Sequence, residues 1–198
     1  MEFMQALIQR RSEYSLDPNI GVSFQTIVDM VADVAVHVPS PYNVQSHRAL
    51  VLSGEDHGDL WNIVRESLVE KIGEERFESS RSRIDSFAAA AGTVLYFIDD
   101  PSVDLLCEQQ PSYASNFPTW AEQSCGMFQY AVWMAFGDMG LGANLQHYNP
   151  LIDSRVRERF GVPEGYRLVS QMPFGRIVDP VPPRTTLDRG VLVSSSCW

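Results

Sequence analysis

Cysteine is scarce in this 198-residue chain. Cys107, Cys125 and Cys197 are an odd number without C-x-x-C spacing, which argues against a disulfide scaffold or structural zinc site and fits a reducing cytoplasm. Positive charge is short as well: 15 Lys and Arg against 25 Asp and Glu give a formal charge of −10. That balance opposes nonspecific attraction to nucleic acid or an anionic membrane, so an anionic ligand needs a local basic pocket. No 18-residue run is both uncharged and strongly apolar, and a membrane span is not expected. The start Met1-Glu2-Phe3-Met4 lacks the basic region and apolar core of a secretory signal. The G-x-S-x-G, G-x-x-x-x-G-K-[ST] and H-E-x-x-H patterns are missing. Gly140-Leu141-Gly142 opens like a dinucleotide fingerprint, but Leu145 holds the third glycine position, and a helix stop before a strand explains the pair better. His37, His47, His57 and His147 show no ligand spacing, so no metal is expected.

What is present describes one globular domain spanning residues 1–198. Hydrophobic residues make up 44% of the chain and charged residues 20%, enough for a sizeable core and against disorder. Phe3, Ala6 and Leu7 predict a short helix ending at Arg10-Arg11. Ser23 reads as the cap of a second, whose apolar face runs through Phe24, Ile27, Val28, Val31, Val34 and Ala35. Leu60, Trp61, Val64 and Leu68 predict a third, continuing through the charged residues 71–75. Residues 49–52, 93–98, 142–146 and 166–172 read as strands, and residues 153–160 as a short helix. Residues 104–118 are mixed, an irregular lid or short helix. Residues 119–139 form the longest helical pattern, apolar on most of its circumference and stopped by Gly140; such a helix is central to a core or shared with another subunit. Cys125 within it reads as buried and inert. Residues 176–198, interrupted by Pro180, Pro182 and Pro183, read as an extended arm ending in a strand-like patch, Val191-Leu192-Val193.

Two groups of residues carry chemistry. The loop Pro39-Ser40-Pro41-Tyr42-Asn43-Val44-Gln45-Ser46 is stiffened by two prolines and presents a hydroxyl and two carboxamides. Carboxamides donate and accept together, so Asn43-x-Gln45 suits a planar heterocycle whose edge alternates carbonyls with N–H groups, as the pyrimidine side of a flavin does. Arg10, Arg11, Ser12 and Arg184 can supply the positive pocket that a phosphate requires, since guanidinium forks grip phosphate oxygens in pairs. One heterocycle site and one phosphate site together match flavin mononucleotide. His147, between Gln146 and Tyr148 at a strand end, stands where binding groups gather.

The order of these features resembles the FMN-dependent nitroreductase family. The resemblance runs over nearly the whole chain: Arg10-Arg11-Ser12, Pro39-Ser40 with Asn43 and Gln45, the strand from Gly92 to Phe97, and Gly140-Leu141-Gly142-Ala143. Tyr113-Ala114-Ser115-Asn116-Phe117, Trp120, Leu145 through Pro150 and Met172-Pro173-Phe174-Gly175 resemble the compact subgroup related to the fatty-acid-regulation and stress-induced nitroreductases. The resemblance implies an α+β sandwich with a mostly antiparallel central sheet flanked by helices. It also implies a homodimer that exchanges C-terminal arms and holds FMN at the subunit interface. Carried onto this chain, Arg10, Arg11, Ser12 and Arg184 face phosphate or ribityl oxygens, and Pro39, Ser40, Asn43 and Gln45 the polar edge of the ring. Leu145, Gln146 and His147 lie along the ring, and Phe117, Trp120 and Tyr148 are pocket aromatics. No side chain is expected to be catalytic, because the flavin carries the chemistry. The implied activity is cytoplasmic, ping-pong reduction of nitroaromatic or quinone-type acceptors by NADH or NADPH; the alternative is a flavin-binding stress-response or regulatory protein with little turnover. Two departures stand out: Tyr14 replaces the lysine of many larger members, and the basic cluster of the arm is reduced to Arg184 and Arg189.

Overall fold

The computed structural model describes residues 3–195. Helix α1 (Phe3–Gln9) leads to a short strand β1 (Ser15–Asp17) and helix α2 (Phe24–His37), whose cap Ser23 accepts from the Thr26 N–H. A 3-10 turn at Pro41–Asn43 precedes β2 (His47–Ser53) and the helices α3 (Gly54–Ile72) and α4 (Glu74–Ala88). Then come β3 (Gly92–Asp99), α5 (Asp100–Gln109), α6 (Phe117–Asp138) and β4 (Leu141–Ala143). Helix α7 (Asp153–Phe160), the long strand β5 (Tyr166–Asp179) and a one-turn helix α8 (Arg189–Leu192) complete the order.

Every strand pair is antiparallel. Strand β5 is the spine: β3 lies along its first part from Asp99↔Tyr166 to Gly92↔Phe174, while β1 and β4 take its later part at Leu16↔Ile177 and Gly142↔Gly175. β2 pairs with β3 from His47↔Ile98 to Ser53↔Gly92 and forms the end of the sheet. The two-residue period of β3 divides the core. Val94, Tyr96 and Ile98 face a cluster with Ile27 and Val31 of α2, Val103 of α5 and Phe128 of α6; Leu95 and Phe97 face Trp61 of α3, Phe77 and Phe87 of α4 and Val156 of α7. The α+β sandwich expected from the sequence is therefore the fold, with helices on both faces.

Several boundaries differ from the sequence reading. The third helix does not pass through residue 75, because Gly73 at φ 80° breaks it into α3 and α4. Of the two readings of residues 104–118, the short helix holds for the first part: the Asp99 carboxylate accepts from the Ser102 N–H and Pro101 occupies the first turn, so a regular helix starts earlier, at Asp100, and ends at Gln109. Strand β4 stops at Ala143, leaving Gln146 as a single bridge to Gln171. β5 continues through Asp179, so residues 176–179 of the expected arm belong to the sheet. Val191 and Leu192 fall in a helical turn, not a strand, because the Asp188 carboxylate accepts from the Gly190 N–H and starts that turn locally. Cys197 falls outside the described residues.

Candidate functional site

The polar loop after α2 has an unusual backbone. Among the described residues, every non-glycine residue with positive φ lies in it: Tyr42 at 50°, Asn43 at 55° and Gln45 at 49°. Left-handed conformations cost about 1 kcal/mol or more per residue and persist only where surroundings enforce them. Several bonds do so here. The Asn43 N–H donates to the Ser40 carbonyl (3.0 Å), the Val44 N–H to that of Pro41 (3.0 Å), and the Gln45 N–H to Ser40 Oγ (2.9 Å). Ser124 of α6 fastens the loop entry through its hydroxyl to the Pro39 carbonyl (2.9 Å). The serine of the loop is thus committed to shaping it. The side chains of Asn43 and Gln45 meet in one bond, Gln45 Nε2 to Asn43 Oδ1 at 3.2 Å. That bond leaves Asn43 Nδ2 and Gln45 Oε1, a donor and an acceptor, open on two exposed side chains.

Arg10 and Arg11 line a second feature, a cleft of about 240 Å³ between α1, the C-terminal half of α6 and β4. The Arg10 guanidinium lies over the Trp133 ring, 4.4 Å from its centroid, and its Nε is buried without a protein partner. An unpartnered buried donor on a permanent cation fits a place for an anion. Ser12 bridges Ala143 through the backbone and brings this segment against β4. Arg184, by contrast, is exposed on the arm. Its contribution to the same pocket is not seen within one chain.

Between these features runs a buried amide relay. The Asn144 side chain has no exposed surface; its Nδ2 donates to the Glu13 backbone carbonyl (2.7 Å) and its Oδ1 accepts from Gln146 Nε2 (2.7 Å). Gln146 and Gln171 exchange backbone bonds of 2.7 and 2.9 Å, and Gln171 Oε1 accepts from the Tyr148 N–H (2.8 Å). The Glu13 carboxylate, also buried, accepts from the Val181 N–H (3.0 Å) at the root of the arm. These bonds tie the arginine segment, residues 144–148 and the arm together. The Leu145 side chain packs on the α2/α6 core. His147 faces a separate groove with Lys71 and Tyr148.

The aromatic residues divide in two. Phe117 has no exposed surface, so it is not itself a pocket wall; it lies beneath Tyr42 (centroids 5.5 Å) and Trp120 (5.4 Å), both edge-on. The accessible rings are Tyr42 and Tyr113, 57% and 46% exposed, with Trp120 completing the platform. Tyr148 is elsewhere: it packs edge-on against Trp61 in the α3/α4 core, and burial raises its phenol pKa. Sequence reading missed Tyr42 and Tyr113 as pocket rings, and missed Glu13, Asn144 and Gln171. The signal for Tyr42 was available, since it lies inside the motif already singled out. Cys125 is buried, accepts from Gln129 Nε2 at 3.3 Å, and burial pushes its thiol up to about 11, which leaves no thiolate for nucleophilic work.

Comparison with known proteins gives one answer. The Nitroreductase family model matches residues 7–176. The nitroreductase CinD of Lactococcus lactis, solved with nicotinic acid, superposes with a TM-score of 0.91 at 36% identity, covering 98% of this chain and 100% of that one. The putative nitroreductase HBN1 of Saccharomyces cerevisiae is 30% identical over 96% of this chain and 95% of its own. A putative nitroreductase of Exiguobacterium sibiricum, solved with FMN, shares the fold at a TM-score of 0.73 and 16% identity over 99% of this chain and 98% of its own. The surface amide pair, the buried arginine cleft and the layered fold thus occur together in a chain that belongs to the nitroreductase family of flavin-dependent oxidoreductases.

Proposed function

We propose that this chain is a single-domain, cytoplasmic, FMN-dependent NAD(P)H oxidoreductase that reduces nitroaromatic or quinone-type acceptors, with reductant and acceptor using one cleft in turn. The observation that carries the FMN reading is the pair of open side-chain groups, Asn43 Nδ2 and Gln45 Oε1, on exposed residues of a left-handed loop. That pair complements an edge of alternating carbonyl and N–H groups. The unpartnered Arg10 Nε, with Arg11 in the same cleft, fits the phosphate end. When bound, FMN supplies the hydride-carrying chemistry. Tyr42, Tyr113 and Trp120 offer faces for a planar acceptor; 4-nitrophenol, found with CinD in another structure, is a planar nitroaromatic.

The working form is a homodimer. Ser124, which holds the amide loop, and Trp133, under Arg10, are about 14 Å apart along α6 at ~1.5 Å per residue. Between them α6 exposes Met127 and Tyr130, and the neighbouring α1 exposes Phe3, Met4 and Ile8. A continuous apolar face of this kind marks an interface. Two copies meeting there about a two-fold axis perpendicular to α6 run their α6 helices in opposite senses, which sets the amide loop of one subunit beside the arginine cleft of the other. The arm supports the same reading. Leu187, Val191, Leu192 and Val193 are exposed on it, while β2 ends the sheet beside an apolar groove lined by Val31, Ala35, Leu50 and Phe128. A partner's arm fits that groove.

The visible spectrum of the purified protein, supplemented with FMN if colourless, tests the assignment before and after anaerobic NADH and NADPH. A bound flavin bleached by either nucleotide and recoloured by 4-nitrophenol or a quinone is the expected result. Failure to bind FMN refutes the cofactor assignment, and binding without bleaching replaces the enzyme by a flavin-binding regulatory or stress-response protein.

A further inference from the structure

Ser124 of α6 fastens the entry of the left-handed amide loop, and one residue anchors its exit. Arg48, two positions into β2, turns its guanidinium back over the loop: Nη1 donates to the Gln45 carbonyl (2.5 Å) and the His47 carbonyl (3.0 Å). Its Nε donates to the Tyr166 hydroxyl (3.1 Å), and Nη2 to Asp99 Oδ2 (2.7 Å). The Tyr166 ring lies beneath the guanidinium carbon, 5.5 Å from its centroid. All three nitrogens are thus engaged, and a planar fork is the side chain that can reach four acceptors on three segments at once.

Asp99 gives the anchor its direction. Its carboxylate is nearly buried, accepts from the Ser102 N–H and hydroxyl at the start of α5, and its own N–H donates to the Ser46 carbonyl (2.8 Å). The end of β3 therefore holds the loop twice, once through its backbone and once through Arg48. The same carboxylate caps the helix that leads to Tyr113. Gln45, whose carbonyl Arg48 holds, is itself one of the three left-handed residues. Without that bond the Gln45 N–H to Ser40 Oγ contact is left to hold the residue at positive φ.

We infer that Arg48 is the positioning residue of the flavin-edge loop, acting with Asp99 to hold Asn43 and Gln45 in their binding geometry before the cofactor arrives. This rests on the reading of the loop as the flavin-edge site. Arg48 touches the loop and not the ligand, so its loss weakens binding by lowering the fraction of molecules with a competent loop.

Three variants and two readouts test it. In cofactor-free Arg48→Met and Asp99→Asn proteins, hydrogen exchange is followed at the Gln45 amide and at β3 amides such as Leu95. FMN and riboflavin dissociation constants are measured alongside, with Asn43→Ala as reference. Arg48→Met is expected to speed Gln45 exchange while β3 stays protected. It should also raise both flavin dissociation constants about tenfold, as a competent fraction near one tenth requires, without changing their ratio, because the phosphate cleft is untouched. Arg48→Lys, which keeps the charge but not the fork, is expected to recover only part of the loss. Unchanged Gln45 exchange, equal acceleration throughout the chain, or a loosened loop with unaltered flavin affinity overturns the proposal. If Asn43→Ala also leaves both affinities unaltered, the flavin-edge reading itself falls.

Discussion

At the scale of single residues, the proposed FMN site has Asn43 at one end and Arg10 at the other, and variants of the two separate those ends. Asn43→Ala removes one neutral hydrogen-bonding group from the ring edge, worth about 1 kcal/mol or roughly fivefold in affinity. It is expected to weaken FMN and riboflavin equally in a fluorescence titration. Arg10→Ala removes a charge-assisted contact that riboflavin never makes. FMN alone should weaken, by about 2 kcal/mol or some thirtyfold, leaving the two flavins bound alike. Persistence of the FMN preference takes Arg10 out of the phosphate site. His57 offers a test of a different kind. The Thr93 hydroxyl accepts from Trp61 Nε1 (3.1 Å) and lies 3.0 Å from His57 Nδ1, while His57 Nε2 lies 3.2 Å from the Ala88 carbonyl. A neutral imidazole satisfies this chain by accepting from Thr93 and donating to Ala88, and burial holds its pKa below the ordinary 6.5. Below that pH the unfolded chain takes up a proton that the folded chain resists. The stability contribution present above 6.5 is therefore lost as pH falls. The melting temperature should drop between about pH 7.5 and about pH 5.5, and the drop should shrink in His57→Gln.

At the scale of elements, Gly142 shows what a short motif can mean. Its sequence context suggests a fragment of a nucleotide fingerprint, but it sits where β4, β1 and β5 meet. A Cβ there would lie 2.6 Å from Ile177 Cγ1 and 2.9 Å from Leu16 Cδ2 and Glu13 Cβ. Gly142→Ala is expected to lower stability by about 1–3 kcal/mol in a urea titration, the usual range for overpacking, while a neutral result shows that β1 can move aside. The elements legible beforehand were those with a complete local signal. α2 has its serine cap and apolar stripe, α7 its exact span, and β3 a β-branched and aromatic run. β1 is three residues long and exists because β5 extends past Met172 to pair with it, which no local pattern announces. The patch at residues 191–193 has the side chains of a strand, yet a strand requires an edge to pair with. Within one chain the Asp188 cap prevails. The site divides in the same way. Residue types and spacing pointed to Asn43, Gln45 and Arg10, whereas Arg48 with Asp99, and Asn144 with Glu13, are pairs 51 and 131 positions apart. Such pairs become visible only once the sheet brings them together.

At the scale of the whole molecule, the decisive question is whether one chain can hold the cofactor. Within a subunit the amide loop and the arginine cleft sit toward opposite ends of α6, and the surface between them carries Met127 and Tyr130, 46% and 37% exposed. Rings and thioethers at the centre of an interface carry a large share of association energy, and a carboxylate placed among them lacks a partner. Met127→Glu is therefore expected to shift the protein toward monomer in sedimentation velocity; Tyr130 is left in place, because the Arg10 guanidinium lies 6.0 Å from its ring centroid and would pair with a carboxylate there. Because each flavin site would draw its ring-edge loop from one subunit and its phosphate cleft from the other, the monomer should lose FMN at the same time. Mass action makes the link measurable: on dilution of the variant, the flavin released and the monomer formed should rise along one curve. A monomer that keeps its flavin on dilution would place both ends of the cofactor within one chain. A variant that stays dimeric at nanomolar concentration would move the interface off α6. The wild-type protein, examined over the same dilution range, should remain dimeric and coloured, since the apolar faces of α1 and α6 and both arms act together in it.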